Sequence, residues 1–340
     1  MKRAISRVLA ILLAGLLLCG VMAFAASAAT DITAAFTDPA FRAAVQALIG
    51  KTQILDTDVE WRTALVVDSM GIQSLAGLEY FRDLEFLDCS YNQITALPAL
   101  PSGLDQLWCW DNQLSALPAP LPTGLRELIC NKNKLAVLPA LPSGLVQLDC
   151  SDNRLTALPA LPPGLANISC QENQLTSLPA LPASLESLWC WDNQLSALPA
   201  LPTGLYQLDC DNNRLSALPA LPPSLKILFC GGNQLSALPT LPLGLEKLTC
   251  GHNQLTSLDV TGLQLEILWC NHNKMASTSD VKGFTGTWGG MFLFDPQNSP
   301  TPPTPPKEYF KLWGKTTTWE KTPLNWILLI LCFGWIWMAF

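Results

Sequence analysis

A unit of about twenty residues repeats ten times in register between residues 84 and 274, and this repetition constrains the fold more than any other feature of the chain. Each unit holds a cysteine followed three positions later by an asparagine. Most units read Leu-x-x-Leu-x-Cys-x-x-Asn-x-Leu-x-x-Leu-Pro-x-Leu-Pro-x-x, and the single longer step takes up its extra residue at Ala119-Pro120. The pairs are Cys89/Asn92, Cys109/Asn112, Cys130/Asn133, Cys150/Asn153, Cys170/Asn173, Cys190/Asn193, Cys210/Asn213, Cys230/Asn233, Cys250/Asn253 and Cys270/Asn273. Such a pattern predicts a stack of similar coils.

Each unit is predicted to begin with a short β-strand. In the second unit, period-2 alternation sends Leu107 and Cys109 to one face and Trp108 and Trp110 to the other. The Leu-Pro-x-Leu-Pro part is extended or polyproline-like, so it returns the chain without a helix. Strands stacked about 4.8 Å apart build a parallel sheet with leucines filling the interior. We therefore expect a curved solenoid with the sheet on its concave face and extended segments on its convex face.

This pattern resembles the leucine-rich repeat, with cysteine in the third apolar slot of the strand. The doubled Leu-Pro is similar to the short repeats of secreted bacterial effectors, including those that carry a ubiquitin-ligase domain. The segment 72–87 resembles the longer repeats of internalin-like bacterial surface proteins. The resemblance covers residues 64–275 and implies a leucine-rich repeat solenoid that binds a partner.

Both ends of the repeat array carry segments that can cover the open core. Residues 29–63 are predicted to form an N-terminal helical cap, because Asp38–Ile49 has a proline in a first-turn position and apolar residues at helical spacing. Residues 276–298 are predicted to form a C-terminal cap. Its aromatic residues are Phe284, Trp288, Phe292 and Phe294.

The chain is expected to be exported. Basic residues precede a long apolar run and a small-residue cleavage site, so residues 1–28 are predicted to be a secretory signal peptide. An uncleaved N-terminal anchor is the alternative. A lipid anchor on Cys19 is disfavoured, because Leu18 stands where a small residue is normal.

The C-terminal segment 324–340 contains no charge and predicts a transmembrane anchor, although at ~1.5 Å per residue it spans about 25 Å, slightly short of a ~30 Å hydrocarbon core. Tryptophans near both of its ends suit the membrane interface. Residues 299–323 are then a proline-rich linker and juxtamembrane segment. Because the nearby lysines all lie on the N-terminal side, against the positive-inside rule, an interfacial segment or a removed sorting tail stays open. The predicted location is the cell surface, with a membrane anchor.

The ten in-register cysteines favour packing over chemistry. Zinc ligands come in pairs two to four residues apart, whereas these cysteines are about twenty apart. Parallel side-chain vectors keep neighbouring Cβ atoms near 4.8 Å, beyond the ~3.8 Å of a disulfide. We expect mostly reduced, buried thiols that act as small hydrophobic side chains, even though export normally favours disulfides. The asparagine row is expected to satisfy backbone groups at each strand exit.

Catalytic chemistry has little material in this chain. Its two histidines, His252 and His272, occupy the same slot of neighbouring units, so their rings are expected about 5 Å apart. A shared metal is the weaker interpretation, because alternation points Cys250 and Cys270 inward. No Ser-His-Asp set, phosphate loop or paired-carboxylate motif stands out. We predict no enzyme activity, no cofactor and no metal site.

The candidate binding site is the outward face of the strands, beside the cysteines. Large aromatic residues without an inward role are unusual on a solvated sheet, and tryptophan is enriched at binding hot spots. The alternative is drift of the repeat in a permissive slot, or mutual stacking that covers the rings. The predicted ligand-binding residues are Trp108, Trp110, Asp149, Trp189, Trp191, Asp209, Phe229 and Trp269.

Charge narrows the choice of partner. The formal net charge of −7 argues against nucleic acid, whose binding needs clustered Lys and Arg. Residues 84–274 hold 15 acidic and 8 basic residues, which favours a basic or neutral partner. We predict a surface-anchored protein that binds a protein partner through its concave aromatic and acidic face, in adhesion or another protein–protein interaction.

Two other functions are alternatives to this one. A glycan or cell-wall polymer is the alternative ligand, because rings beside carboxylates also bind sugars. A secreted effector with ubiquitin-ligase activity is disfavoured. No segment after the repeats is long enough for a catalytic domain, and a secretory signal conflicts with direct injection into a host cell.

Overall fold

The computed structural model describes residues 29–283, 291–295 and 297 of the 340-residue chain. The predicted signal peptide (1–28), the linker (299–323) and the predicted transmembrane anchor (324–340) lie outside the described residues. Within the described residues, none of the helices combines the length and the apolar character needed to cross a membrane.

The N-terminal end begins with a single-turn 3-10 helix, Thr33–Ala35, and an α-helix, Pro39–Ile49, followed by a short helix at Asp56–Val59. The predicted helix is therefore present. Proline in its first turn needs no hydrogen-bond donor, and the helix buries Phe41 and Val45 on one face. These side chains extend the core of the repeats at its N-terminal end.

Asp38 fastens this helix to the first coil. One carboxylate oxygen accepts the backbone N–H groups of Ala40 and Phe41 at 2.8 and 3.0 Å, which caps the helix. The other oxygen accepts the N–H groups of Gln73 and Ser74 at 2.8 and 3.1 Å. One side chain therefore holds both the helix start and the coil that the helix covers.

The described strands are β1 Ala64–Val66, β2 Phe86–Asp88, β3 Gln106–Trp108, β4 Glu127–Ile129, β5 Gln147–Asp149, β6 Asn167–Ser169, β7 Ser187–Trp189, β8 Gln207–Asp209, β9 Ile227–Phe229, β10 Lys247–Thr249, β11 Leu258–Asp259, β12 Ile267–Trp269, β13 Val281–Lys282 and β14 Met291–Leu293. Within the described residues they form a twelve-stranded parallel sheet in the order β1 to β10, then β12 and β14. Strands β11 and β13 pair in a separate two-stranded sheet. The predicted parallel-strand solenoid is confirmed.

Register is uniform along the repeats, so like residues stack on like. Leu188 of β7, for example, lies opposite Ile168 on one side and Leu208 on the other. The mid-strand leucine or isoleucine and the following cysteine of every repeat are buried. The Leu-Pro segments between strands adopt neither helix nor strand, as predicted.

The asparagine of each unit binds the backbone of two coils. Asn193 is typical: its Nδ2 donates to the carbonyl oxygens of Cys190 at 3.2 Å and Cys170, one coil back, at 3.0 Å. Its Oδ1 accepts the N–H of Leu175 at 2.9 Å. The residue before each repeat asparagine has φ between 49° and 62°, which turns the chain out of the strand. The asparagine row therefore has the structural role predicted for it.

The C-terminal end is covered in part by the predicted cap. After a 3-10 turn at Thr278–Asp280 the chain forms β13, and β14 then adds the last strand to the main sheet. Phe294 is buried and Phe292 packs against the core. Phe284 and Trp288, the other two aromatic residues of the predicted cap, lie outside the described residues.

Candidate functional site

Two outward rows of side chains flank the buried cysteine row. We call the residue before each repeat cysteine the pre-Cys slot, the residue after it the post-Cys slot, and the surface that both rows form the sheet face. Six of the eight predicted site residues occupy the pre-Cys slot, while Trp110 and Trp191 occupy the post-Cys slot. All eight are half-buried. Because a pair of neighbouring strands is about 4.8 Å apart, Trp108 and Trp189 are separated by about 19 Å along the sheet.

The two tryptophans of the second unit pack against aromatic side chains of the preceding coil. Trp108 meets Phe86 edge-on with ring centroids 5.2 Å apart, and its Nε1 donates to Glu127 Oε1 at 2.9 Å. Trp110 meets Tyr91 with centroids 4.0 Å apart. These two tryptophans therefore pack on other aromatic rings, as in the alternative in which stacking covers them. Part of each ring is already covered by the fold.

The C-terminal half of the sheet face is built differently. Trp189, Asp209, Phe229, Thr249 and Trp269 follow one another in the pre-Cys slot of β7, β8, β9, β10 and β12, and each strand is paired with the next. Aromatic and polar side chains therefore alternate across five strands. In the described part of the chain, no ring–ring contact joins Trp189 or Phe229 to another aromatic side chain.

The post-Cys slot beside these strands holds a second carboxylate. Asp211 lies between Trp191 and Gly231, and one of its oxygens accepts the N–H of Gly231 at 2.5 Å. A Cβ on Gly231 would lie 3.4 Å from that oxygen and 3.1 Å from the carbonyl oxygen of Gly251. The missing side chain thus gives the Asp211 carboxylate the room to lie over the next coil.

Asp209 and Asp211 form an acidic pair without an internal counter-charge. Burial raises the pKa of Asp209 to about 7, although its carboxylate accepts a hydrogen bond from the N–H of Asp211 at 3.2 Å. Burial, followed by the charge of Asp209, raises the pKa of Asp211 well above its ordinary value. Among the described residues no lysine or arginine forms an ion pair with either carboxylate.

Asp149 occupies the pre-Cys slot three strands before Asp209, but neighbouring groups donate hydrogen bonds to its carboxylate. Burial raises the pKa of this carboxyl, while the hydroxyl and the N–H of Ser151, at 2.6 and 3.0 Å, and the charge of Lys132 act to lower it. Its strand neighbours are Ile129 and Ser169, not aromatic rings. Asp149 and Asp209 are thus equivalent in the repeat and different in chemistry.

Thr249 was not singled out by the sequence as a site residue. Its side chain is 8% exposed, and its hydroxyl has no hydrogen-bond partner in the described part of the chain. Asp211 was also absent from the predicted set, although its position next to Cys210 is visible in the repeat. Only the structure shows that the Thr249 hydroxyl is left unsatisfied between Phe229 and Trp269.

The cysteines and histidines have the arrangement expected from the repeat. All ten repeat cysteines are buried free thiols. The rings of His252 and His272 stack with centroids 4.0 Å apart, near the predicted spacing, and His272 Nδ1 lies 2.7 Å from the amide nitrogen of Asn271. Across the residues that the structure describes, no three His, Cys, Asp or Glu side chains are grouped to hold a metal ion.

These features define a class of protein. A parallel sheet of one short strand per twenty-residue coil, with inward leucines and an asparagine at each strand exit, is a leucine-rich repeat solenoid. No family model matches the chain.

Comparison with solved structures supports the leucine-rich repeat fold. YopM from Yersinia enterocolitica WA-314 is 39% identical, with a TM-score of 0.59 over 64% of this chain and 47% of that chain. The leucine-rich repeat domain of APL1B is 24% identical, with a TM-score of 0.54 over 62% of this chain and 69% of that chain. An internalin, InlF from Listeria monocytogenes, is 18% identical over 81% of this chain and 99% of that chain, with a TM-score of 0.48, which by itself supports no conclusion.

The parallel-strand solenoid is consistent with a bacterial leucine-rich repeat protein, with YopM among its structural neighbours, and at this level the predicted resemblance is confirmed. The chain spans less than half the length of that YopM chain. Solenoids of this class present extended surfaces for binding other proteins, and their scaffold is typically not enzymatic.

Proposed function

We propose that this protein binds a protein partner through its sheet face, with Trp189, Trp191 and Phe229 as the main anchors. The observation that carries the proposal is the contrast between the two ends of this face. Trp108 and Trp110 already pack on neighbouring rings, whereas Trp189 and Phe229 have no aromatic neighbour among the described residues. Half-buried tryptophan and phenylalanine side chains fixed on a rigid sheet supply contact area at little entropic cost.

The rest of the predicted site has a supporting role in this proposal. Trp108, Trp110, Asp149, Asp209 and Trp269 extend the contact area along the same two rows. A solenoid that binds along its sheet can engage several coils at once, and this suits an adhesion or protein–protein interaction role. A glycan or cell-wall polymer remains the competing ligand, because the same rings and carboxylates suit sugars.

The proposal includes export and attachment to the cell surface. Residues 1–28 would be removed as a signal peptide, residues 29–63 and 276–298 would cap repeats 64–275, and residues 299–323 would connect them to the anchor 324–340. N-terminal sequencing of the mature chain and its recovery in membrane or wall fractions test this part. An intact N-terminus together with a cytosolic location would contradict it.

Binding is tested with three forms of the full chain: wild type, Trp189→Ala/Trp191→Ala, and the control Val137→Ala/Leu243→Ala. The control truncates two apolar side chains that are 64% and 77% exposed and lie outside the sheet face. Proteins captured by wild type and control but lost from the tryptophan variant are identified, purified and titrated directly.

We expect the purified partner to bind wild type and control equally and the tryptophan variant at least about tenfold more weakly. Equal affinity for all three forms would refute the site. The same three forms are applied to a glycan array. Saturable sugar binding that only the tryptophan variant loses would transfer the function to the glycan alternative.

A further inference from the structure

We infer that the sheet face recognises an arginine side chain of an extended basic peptide, seated between Trp189 and Phe229 against the carboxylates of Asp209 and Asp211. This inference rests on the proposed function and names the chemistry of the partner. It assigns separate roles to the rings, the carboxylates and Thr249.

The spacing of the strands leaves room for one planar group. Trp189 and Phe229 stand on either side of Asp209 in paired strands, so their Cα atoms are about 10 Å apart. A flat group stacked between two rings needs two contacts of 3.5–4.0 Å, or about 7–8 Å. Because the aspartate side chain is shorter than either ring, rings that stand upright from the sheet would form the walls of a slot with Asp209 as its floor.

Charge selects the occupant of this slot. Lys226 is paired with Glu246 at 3.0 Å and Lys247 with Glu266 at 3.8 Å, and among the described residues Arg214 forms no ion pair with Asp209 or Asp211. Asp192 adds a further negative charge, and it contributes to the raised pKa values of both Asp209 and Asp211. Ionising this half-buried pair of carboxyl groups without a counter-ion is costly, and a cation from a partner would relieve that cost.

A second and independent sign of a ligand is the hydroxyl of Thr249, the next polar residue after Asp209 in the pre-Cys slot. Thr249 lies between Phe229 and Trp269, as Asp209 lies between Trp189 and Phe229. Its buried hydroxyl has no partner among the described residues, and the same holds for side-chain oxygens of Ser90, Asn131 and Gln171 in the post-Cys slot of other coils. A peptide that crosses the strands from Asp209 to Thr249 would reach this covered hydroxyl by displacing a neighbouring side chain, and would then place a backbone or side-chain polar group on it.

The guanidinium group fits the slot better than an ammonium group. It is planar, stacks on aromatic faces and donates several hydrogen bonds in one plane, whereas lysine presents a compact, strongly hydrated charge. Two carboxylates at the floor of the slot offer several acceptor oxygens to such a fork of donors.

The probes are three synthetic peptides of the sequence Gly-Ser-X-Gly-X-Ser-X-Gly, in which X is arginine, lysine or the neutral isostere citrulline. Each is titrated by calorimetry into the full chain at 0.15 M salt, where exposed charges are largely screened. The variants are Asp209→Asn and Thr249→Val, and the matched control is Asp152→Asn, which removes the same charge at an exposed position outside the sheet face. Thermal melts establish that each variant is folded.

We expect the arginine peptide to bind at least about tenfold more tightly than the citrulline peptide and more tightly than the lysine peptide. Asp209→Asn should weaken arginine binding about tenfold, and Thr249→Val about fivefold, while Asp152→Asn stays within about twofold of wild type.

Three results would overturn the inference: no binding of the arginine peptide at millimolar concentration, equal binding of the arginine and citrulline peptides, or equal losses in Asp209→Asn and Asp152→Asn. The last would mean attraction by overall negative charge alone. If the peptides fail while the tryptophan variant still loses its captured partner, only this inference falls. If that partner is also retained, the proposed function falls with it.

Discussion

The side-chain amide nitrogen of Asn173 lies 3.0 Å from the carbonyl oxygen of Cys150, one full coil earlier in the chain. The same nitrogen also reaches the carbonyl oxygens of Cys170 and Gln171 at 3.1 Å, while Oδ1 of the following asparagine, Asn193, accepts the N–H of Leu175. Each asparagine thus adds side-chain hydrogen bonds between coils to the backbone hydrogen bonds and leucine packing that also join them. Stability along the solenoid depends on these connections, because a coil contacts little beyond its neighbours.

Replacing Asn173 with alanine should destabilise the fold by about 1–3 kcal/mol, because buried carbonyl and N–H groups lose their partner. The measurement is urea unfolding followed by circular dichroism. Gln174→Ala is the matched control, since its side chain is exposed on the adjacent position and its loss should change the free energy of unfolding little. Equal effects of both variants would contradict the assigned role of the asparagine row.

The repeat thiols should be reduced and unreactive in the native protein. All ten are free and buried, and burial raises the pKa of Cys170, for example, to about 12, so the reactive thiolate is scarce at neutral pH. Iodoacetamide should label these ten cysteines only after denaturation, without added reductant. Ser102→Cys, at an exposed position, supplies a thiol that should react in the native state. Thiols blocked until reductant is added would show that the cysteine row is oxidised.

Stability should change with pH through Asp209. Its folded pKa of about 7 lies above the ordinary 3.8, so between these values the folded chain holds a proton that the unfolded chain has lost. The free energy of unfolding therefore falls as pH rises from about 4 to 7. Asp209→Asn should unfold like wild type near pH 4 and be more stable at pH 8 by about 1–3 kcal/mol. Asp152→Asn, at an exposed position, is the control. A wild-type chain as stable as Asp209→Asn at pH 8 would show that the buried carboxylate carries no cost.

His252 should act in the opposite direction. Burial and the adjacent His272 ring lower its pKa from 6.5 to about 4, so the unfolded chain binds a proton in this range that the folded chain does not. The contribution of His252 to the free energy of unfolding is complete above pH 6.5 and is lost as the pH falls towards 4. His252→Asn fits the same backbone conformation, since Asn212 adopts φ 53° in the equivalent position. As the pH falls from 7.5 to 4.5, the melting temperature of this variant should decrease less than that of wild type. The same pH dependence in both proteins would refute the lowered pKa of His252.

Much of this fold could be predicted because the repeat reports its own periodicity. Leu107 and Cys109 point inward, and Asn112 bonds across coils, in the same way as their counterparts in the other units. The helix of the N-terminal cap was also visible, from Pro39 and the apolar spacing that follows it. Its attachment to the first coil through both oxygens of Asp38 was not, because those partners are 35 and 36 residues away.

The sequence by itself determined the coil, its register and the rows that its side chains occupy, because strand alternation and a constant repeat length leave one way to bury the leucines. The tertiary structure decided which members of a row differ. Asp149 and Asp209 hold the same slot, yet one meets Ser151 and Lys132 while the other lies between two rings without a cation. The physical reason is that a side chain's partners are set by the coils stacked on either side of it, and those neighbours lie about twenty residues away.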